Sequence, residues 1–209
     1  MAQHDPLSVL FGNTARVKLL RFFLFNPQIV FSFDDIARRA KLVRRTARTE
    51  LNLLERADVI TRKQMYEEVP GSTRKRRIHG YTLNMDFALR AQLQTFLYAT
   101  APINSKTMYR HIKKVGPFDF VAAAGVFVGE FDRRVDVLLA SRKATPQKVE
   151  QAIRAIEAEL GIEVKYAFIN TDEFIYRIGM RDKLIRDVFD YGHDVLVDKI
   201  AAYEEAKEG

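Results

Sequence analysis

At 209 residues the chain is long enough for two compact domains. Its 47% hydrophobic and 29% charged residues are those of a globular protein, and no apolar run approaches the roughly 18–20 residues of a membrane span, which sets a membrane-embedded role aside. The absence of cysteine excludes disulfides and thiolate chemistry, and the opening MAQHDPLSVLF lacks the features of a secretory signal, so a cytoplasmic location is expected.

The formal net charge of +7 is unevenly placed. Residues 1–80 hold 16 Lys and Arg against 8 Asp and Glu, whereas residues 81–209 hold 18 against 19. All of the excess therefore lies in the first part. That asymmetry fits a nucleic-acid-binding head on a neutral body, with a merely solvated basic surface as the alternative.

NTARVKLLRFFLF (13–25) opens on Asn13 or Thr14 as N-cap and places Val17, Leu20, Phe23 and Leu24 on one face, which predicts an amphipathic helix ended by Asn26-Pro27. Ser32 is positioned to cap a second helix, FDDIARRA (33–40), with Asp34 and Asp35 favourably placed in its first turn. After the short turn Lys41-Leu42, VRRTARTELNLLERA (43–57) carries Val43, Ala47, Leu51 and Leu54 as one apolar stripe. Its opposite face then carries Arg44, Arg45, Arg48, Thr49 and Asn52, a set suited to guanine edges and phosphates in a major groove. A hairpin follows: strand 58–69, turn 70–77 at Pro70-Gly71-Ser72, and strand 78–84, with Arg74, Lys75, Arg76 and Arg77 at its tip and returning arm. A nuclear localisation signal would also be short and basic, but it leaves the flanking strands unexplained.

Over residues 8–84 this order resembles the winged helix-turn-helix regulators of bacteria and archaea in the ArsR and MarR style, and LLERADVITR resembles their junction from recognition helix to wing. The resemblance implies a 1–84 DNA-binding domain and a double-stranded DNA partner. It also implies a homodimer, and a small-molecule or nucleotide effector of unspecified identity. The cysteine ligands of the metal-sensing members are absent.

MDFALRAQLQTFLYAT (85–100) reads as a helix with Phe87, Leu89, Leu93, Phe96 and Leu97 on a broad apolar face, ended at Ala101-Pro102, and SKTMYRHIKKVG (105–116) as another. Residues 85–116 are thus a helical linker that offers a dimer contact. From 117 to 209 the pattern alternates. Strands are expected at 118–125, 134–141, 162–169 and within 193–200, and helices at 145–161, 171–178 and 180–192. The expected class is α+β, the head followed by a small mixed α/β domain.

That second layout resembles the nucleotidyltransferase fold of the polymerase-β type. The family carries Gly-Ser at the end of a first strand, Asp-x-Asp about ten residues later, and a third carboxylate on a later strand. Asp-x-Asp puts both carboxylates on one strand face, where they hold a metal pair. Here Gly125 matches the glycine, Val126 stands at the serine position, Asp136 matches the first carboxylate and Leu138 falls at the second. Glu163 and Lys165 are the candidates for the third. Glu130 and Asp132 are loop carboxylates that would have to substitute. The resemblance therefore implies a vestigial, catalytically inactive site at Gly125 and Asp136. An active nucleotidyltransferase targeted by its head is one alternative, and an antitoxin-like interaction module another. His4, His79, His111 and His193 are scattered without metal-ligand spacing, and no cofactor is expected.

Overall fold

The computed structural model describes residues 6–68, 74–100, 104–130 and 132–203. His4, Pro70-Gly71-Ser72 and Ala101-Pro102 lie outside these. Helices mix with two small sheets, compatible with the α+β class. The chain divides into two compact units, Met1–Ala101 with Glu157–Ile162, and Pro102–Ile156 with Glu163–Gly209. No helix of the described residues is long and apolar enough to cross a membrane.

In the first unit a short helix α1 (Pro6–Leu10) precedes α2 (Thr14–Phe25). Asn13 is the cap of α2, its side chain accepting from the Ala15 amide at 2.8 Å. The helix is not one-sided as its pattern suggested. Leu19 and Phe22 are buried along with Val17, Leu20, Phe23 and Leu24. The reason is that α1, the helices Arg44–Arg56 and Arg90–Ala99 and the strand Lys75–Leu83 all pack on it. Helix α3 (Phe33–Arg39) is capped by Ser32, which accepts from the Asp35 amide at 3.1 Å. Lys41, at φ +50, turns the chain into α4 (Arg44–Arg56).

Strands β1 (Ile60–Glu68) and β2 (Lys75–Leu83) pair antiparallel from Ile60↔Leu83 to Glu68↔Lys75. Lys75, Arg76 and Arg77 therefore belong to a strand rather than to the expected turn 70–77, because Glu68, Glu67 and Tyr66 stand ready to pair with them. Helix α5 (Arg90–Ala99) starts later than residue 85. Asn84 fixes a turn there, donating to the Asp58 carbonyl at 2.9 Å and accepting from the Asp86 amide at 3.2 Å. Leu97 is fully buried, whereas Leu89 and Phe96 are exposed.

The second unit opens with α6 (Ser105–Ile112) and builds a four-stranded sheet in the order β5-β4-β3-β6. These strands are β3 (Phe120–Ala123), β4 (Val137–Ala140), β5 (Tyr166–Ile169) and β6 (Asp194–Asp198). β3 runs antiparallel to β4 and β6, while β4 and β5 are parallel. The parallel pair needs a crossover, and α7 (Pro146–Leu160) lies between them in sequence. Every residue of β3 and β4 is buried, so the sheet is covered on both faces. On one side α8 (Thr171–Gly179) and α9 (Lys183–Phe189) place Phe174, Ile178 and Val188 against Phe120, Leu138 and Ala140. α9 is shorter than the expected 180–192, because Arg181 turns at φ +52 and Asp182 caps the new start on the Leu184 amide.

Candidate nucleic-acid interface

α4 rests on the first unit's core through Ala47, Leu51 and Leu54. Val43 is not part of that stripe. It is the N-cap residue and is 74% exposed. Glu50 sits in the buried row instead, accepting from Asn13 Nδ2 at 2.7 Å and Arg16 Nε at 2.9 Å. A buried carboxylate with two such donors fixes the rotation of α4 against the start of α2. The face that remains outward is then determined, and Arg44, Arg45, Arg48, Thr49 and Asn52 are all exposed on it.

These side chains differ in how they are held. Arg44 pairs with Asp34, and its guanidinium carbon lies 4.9 Å from the centre of the Phe33 ring. Arg48 lies over the same ring at 4.7 Å. Thr49 turns its hydroxyl back to the Arg45 carbonyl at 3.1 Å, so the helix backbone already satisfies that donor. In the hairpin the register decides which cations are matched. Arg76 faces Glu67 and pairs with it at 2.9 Å, Lys75 stands opposite Glu68, and Arg77 stands opposite the exposed Tyr66. Arg74 is exposed just before β2. Arg62, on β1, pairs with Glu55 at 2.8 Å and lies over the Tyr81 ring.

Sequence reasoning missed Phe33, Asp34, Glu50 and Tyr66. Tyr66 could have been found by counting back from the turn, since hairpin register follows from loop length. Glu50 falls between Ala47 and Leu51 on the inward face, a charged residue where the apolar stripe should continue. The local pattern places Asp34 in the first turn of α3 and Phe33 on its inner face, but it gives neither a part in the interface, because their arginine partners lie on a different helix.

In the second unit Gly125 and Asp136 do come together. Asp136 is 1% exposed and accepts from the Val126 amide at 3.0 Å and the Lys165 amide at 2.8 Å. It immediately precedes β4, and its backbone carries the pairing one residue further, its N–H going to the Lys165 carbonyl and its carbonyl taking the Ala124 N–H. Burial pushes its carboxyl above the ordinary aspartate range, against the two amide bonds and the Lys165 charge. Gly125 has φ +51, and a Cβ there would stand 2.0 Å from Asp136 Oδ1. Only glycine admits both the conformation and the carboxylate. Glu163 and Lys165 precede β5, contrary to the expected strand 162–169. Lys165 Nζ donates to the Arg133 carbonyl at 2.8 Å, Arg133 pairs with Glu130, and its guanidinium lies 3.6 Å from the centre of the Tyr191 ring.

Among the described residues, no three His, Asp or Glu side chains are grouped so as to hold a metal ion. A cavity of about 380 Å³ opens beside β6, lined by Ser105, Lys106, His193, Asp194, Leu196 and Tyr203. Ser105 Oγ is hydrogen-bonded to the Asp194 carboxylate across it, and His193 Nδ1 lies 2.7 Å from the Tyr191 carbonyl. No family model, curated protein or solved structure matches the chain.

Proposed function

We propose that the chain is a sequence-specific regulator that binds double-stranded DNA through a winged helix-turn-helix head. The observation that carries the reading is the outward row Arg44, Arg45, Arg48, Thr49 and Asn52 on α4, with a basic antiparallel hairpin directly after it. In this reading the first half of α4 enters the major groove, and Arg74, Lys75 and Arg77 reach the phosphates. A homodimer belongs to the proposal, because paired half-sites reward two-fold symmetry, and so does a cytoplasmic location.

The body is read as a nucleotidyltransferase-like domain without catalysis. Both oxygens of Asp136 are engaged by backbone amides, and the cations Lys165 and Arg133 crowd the same end of the sheet. Two-metal transfer needs several convergent carboxylates, and the reading is supported by the lack, among the described residues, of a group of three acidic or histidine side chains that could hold a metal. The open depression beside β6, lined by Ser105, His193 and Asp194 among others, is where an effector would be sought first.

Selection of random genomic fragments at near-physiological salt tests the reading. An enriched motif with two-fold symmetry is expected. Retention without a motif leaves only non-specific electrostatics, and no retention rejects a DNA role. Incubation with labelled nucleoside triphosphates and Mg²⁺ or Mn²⁺ tests the body, where no incorporation is expected. Incorporation that vanishes in Asp136→Ala would restore an enzyme.

A further inference from the structure

Arg48 is held by a ring and not by a carboxylate. Its guanidinium carbon lies 4.7 Å from the centre of the Phe33 ring, and no acidic side chain pairs with it among the described residues. Arg44, one turn earlier, shares that ring at 4.9 Å but is also tied to Asp34. The difference matters chemically. A carboxylate partner occupies the N–H donors of a guanidinium, whereas a ring face attracts the cation and leaves its in-plane donors open. Phe33 is itself seated, half-buried against the first core from the first position of α3. The capping bond of Ser32 to the Asp35 amide fixes that start.

We infer that Phe33 is a positioning residue for base reading, holding the Arg48 guanidinium oriented with its donors open, while Asp34 holds Arg44 in reserve. The inference rests on the DNA-binding reading of α4. Pairing with a guanine edge is bidentate and directional, so an arginine fixed beforehand loses less freedom on binding than a mobile one. Phosphate contacts tolerate many orientations and need no such support. Arg45, Lys75 and Arg77 have neither a ring partner nor an ion-pair partner among the described residues, which suits them to the phosphate role. Arg48 is the residue of α4 that combines an outward position, an aromatic ring beneath its guanidinium and no ion-pair partner among the described residues. Phe33 thereby sets specificity without touching DNA.

The test uses the full chain, the motif enriched by selection, and a scrambled duplex of the same length, with affinities taken over a series of salt concentrations. Phe33→Leu keeps an apolar side chain against the core but removes the ring. It should lower the ratio of motif to scrambled affinity about tenfold, within the range of one bidentate base contact, with the salt slope unchanged. Phe33→Tyr, which keeps the ring, should retain the ratio. A wild-type ratio in Phe33→Leu overturns the proposal. So does a flatter salt slope, which would place Arg48 on a phosphate. Should Phe33→Leu fail to fold, the wild-type protein supplies the reading. The Arg48 side-chain protons should show the upfield NMR shift of a group over an aromatic face, and ordinary shifts there overturn the proposal. If the wild-type protein enriches no motif, the DNA reading falls first and this inference with it.

Discussion

In the second unit most arginines are matched with a carboxylate close by. Arg133 pairs with Glu130, Arg142 with Asp172, Arg154 with Glu150, Arg177 with Glu173 and Arg186 with Asp190. In the first unit several cations have no such match. Arg39 and Arg48 lie over the rings of Phe31 and Phe33, and Arg45, Lys75 and Arg77 stand exposed. Buried carboxylates differ as well. Glu50 of the first unit is neutralised by Arg16, whereas Asp136 of the second relies on amides. The lesson is that a charge surplus has meaning only after local pairs are removed. Most arginines of the second unit are matched locally, whereas in the first unit Arg45, Arg48, Lys75 and Arg77 remain exposed without an ion-pair partner among the described residues.

The largest effect is expected at Asp136. Asp136→Asn puts an amide nitrogen or a rotated carbonyl against two backbone N–H donors, so at least one buried donor loses its partner. A loss of about 2–3 kcal/mol is expected, read as a lower midpoint in urea unfolding. Gly125→Ala should act in the same direction, since its Cβ would overlap Asp136 Oδ1. Neither change should alter DNA affinity in the proposed function. The pH dependence has a definite sign. Burial raises the folded carboxyl above its unfolded value, so this group contributes stability that is present below the unfolded pKa and lost as pH rises through the folded one. On acidification toward the ordinary aspartate range, the wild-type protein should therefore gain stability relative to Asp136→Asn. Parallel curves for the two would mean that Asp136 titrates alike in both states.

Next in size is the outward face of α4. Arg48→Ala should cost on the order of 1–3 kcal/mol of preference for the selected motif over other DNA, while leaving the fold intact. Equal losses on every sequence would move Arg48 from base reading to phosphate contact. The unfolding free energy of Arg48→Ala should stay within about 0.5 kcal/mol of the parent, as for an exposed side chain.

Much of this was legible along the chain because the signals are local. Asn13, Ser32 and the 3- and 4-residue spacing of Ala47, Leu51 and Leu54 define the helices around α4, and its outward residues follow from the helical period alone. What escaped depends on distant partners. The strand expected from residue 134 begins at 137, because Asp136 turns to amides ten and twenty-nine residues away in sequence. The helix expected at 85 begins at 90, because Asn84 ties back to Asp58. α1 was missed, being five residues with only Leu7 and Ser8 inward, too short to display a period. In the candidate interface the arginines were visible and their restraints were not, since Phe33, Asp34 and Glu67 act across elements.

The smallest effects distinguish matched from unmatched cations within one hairpin. Arg77 and Arg76 are neighbours on β2 with opposite surroundings, Tyr66 across from one and Glu67 across from the other. If Arg77 meets a phosphate, Arg77→Ala should reduce the slope of log affinity against log salt by about 0.9, the release of one phosphate's counterions. Arg76→Ala should reduce it by less, because Glu67 already neutralises that guanidinium at 2.9 Å. Glu67→Gln should then raise affinity for all duplexes and bring Arg76→Ala up to the effect of Arg77→Ala. Equal slopes from both arginines with Glu67 present would mean that DNA breaks the pair on binding. No change from either would take the hairpin off the DNA backbone and leave α4 alone to carry the interface.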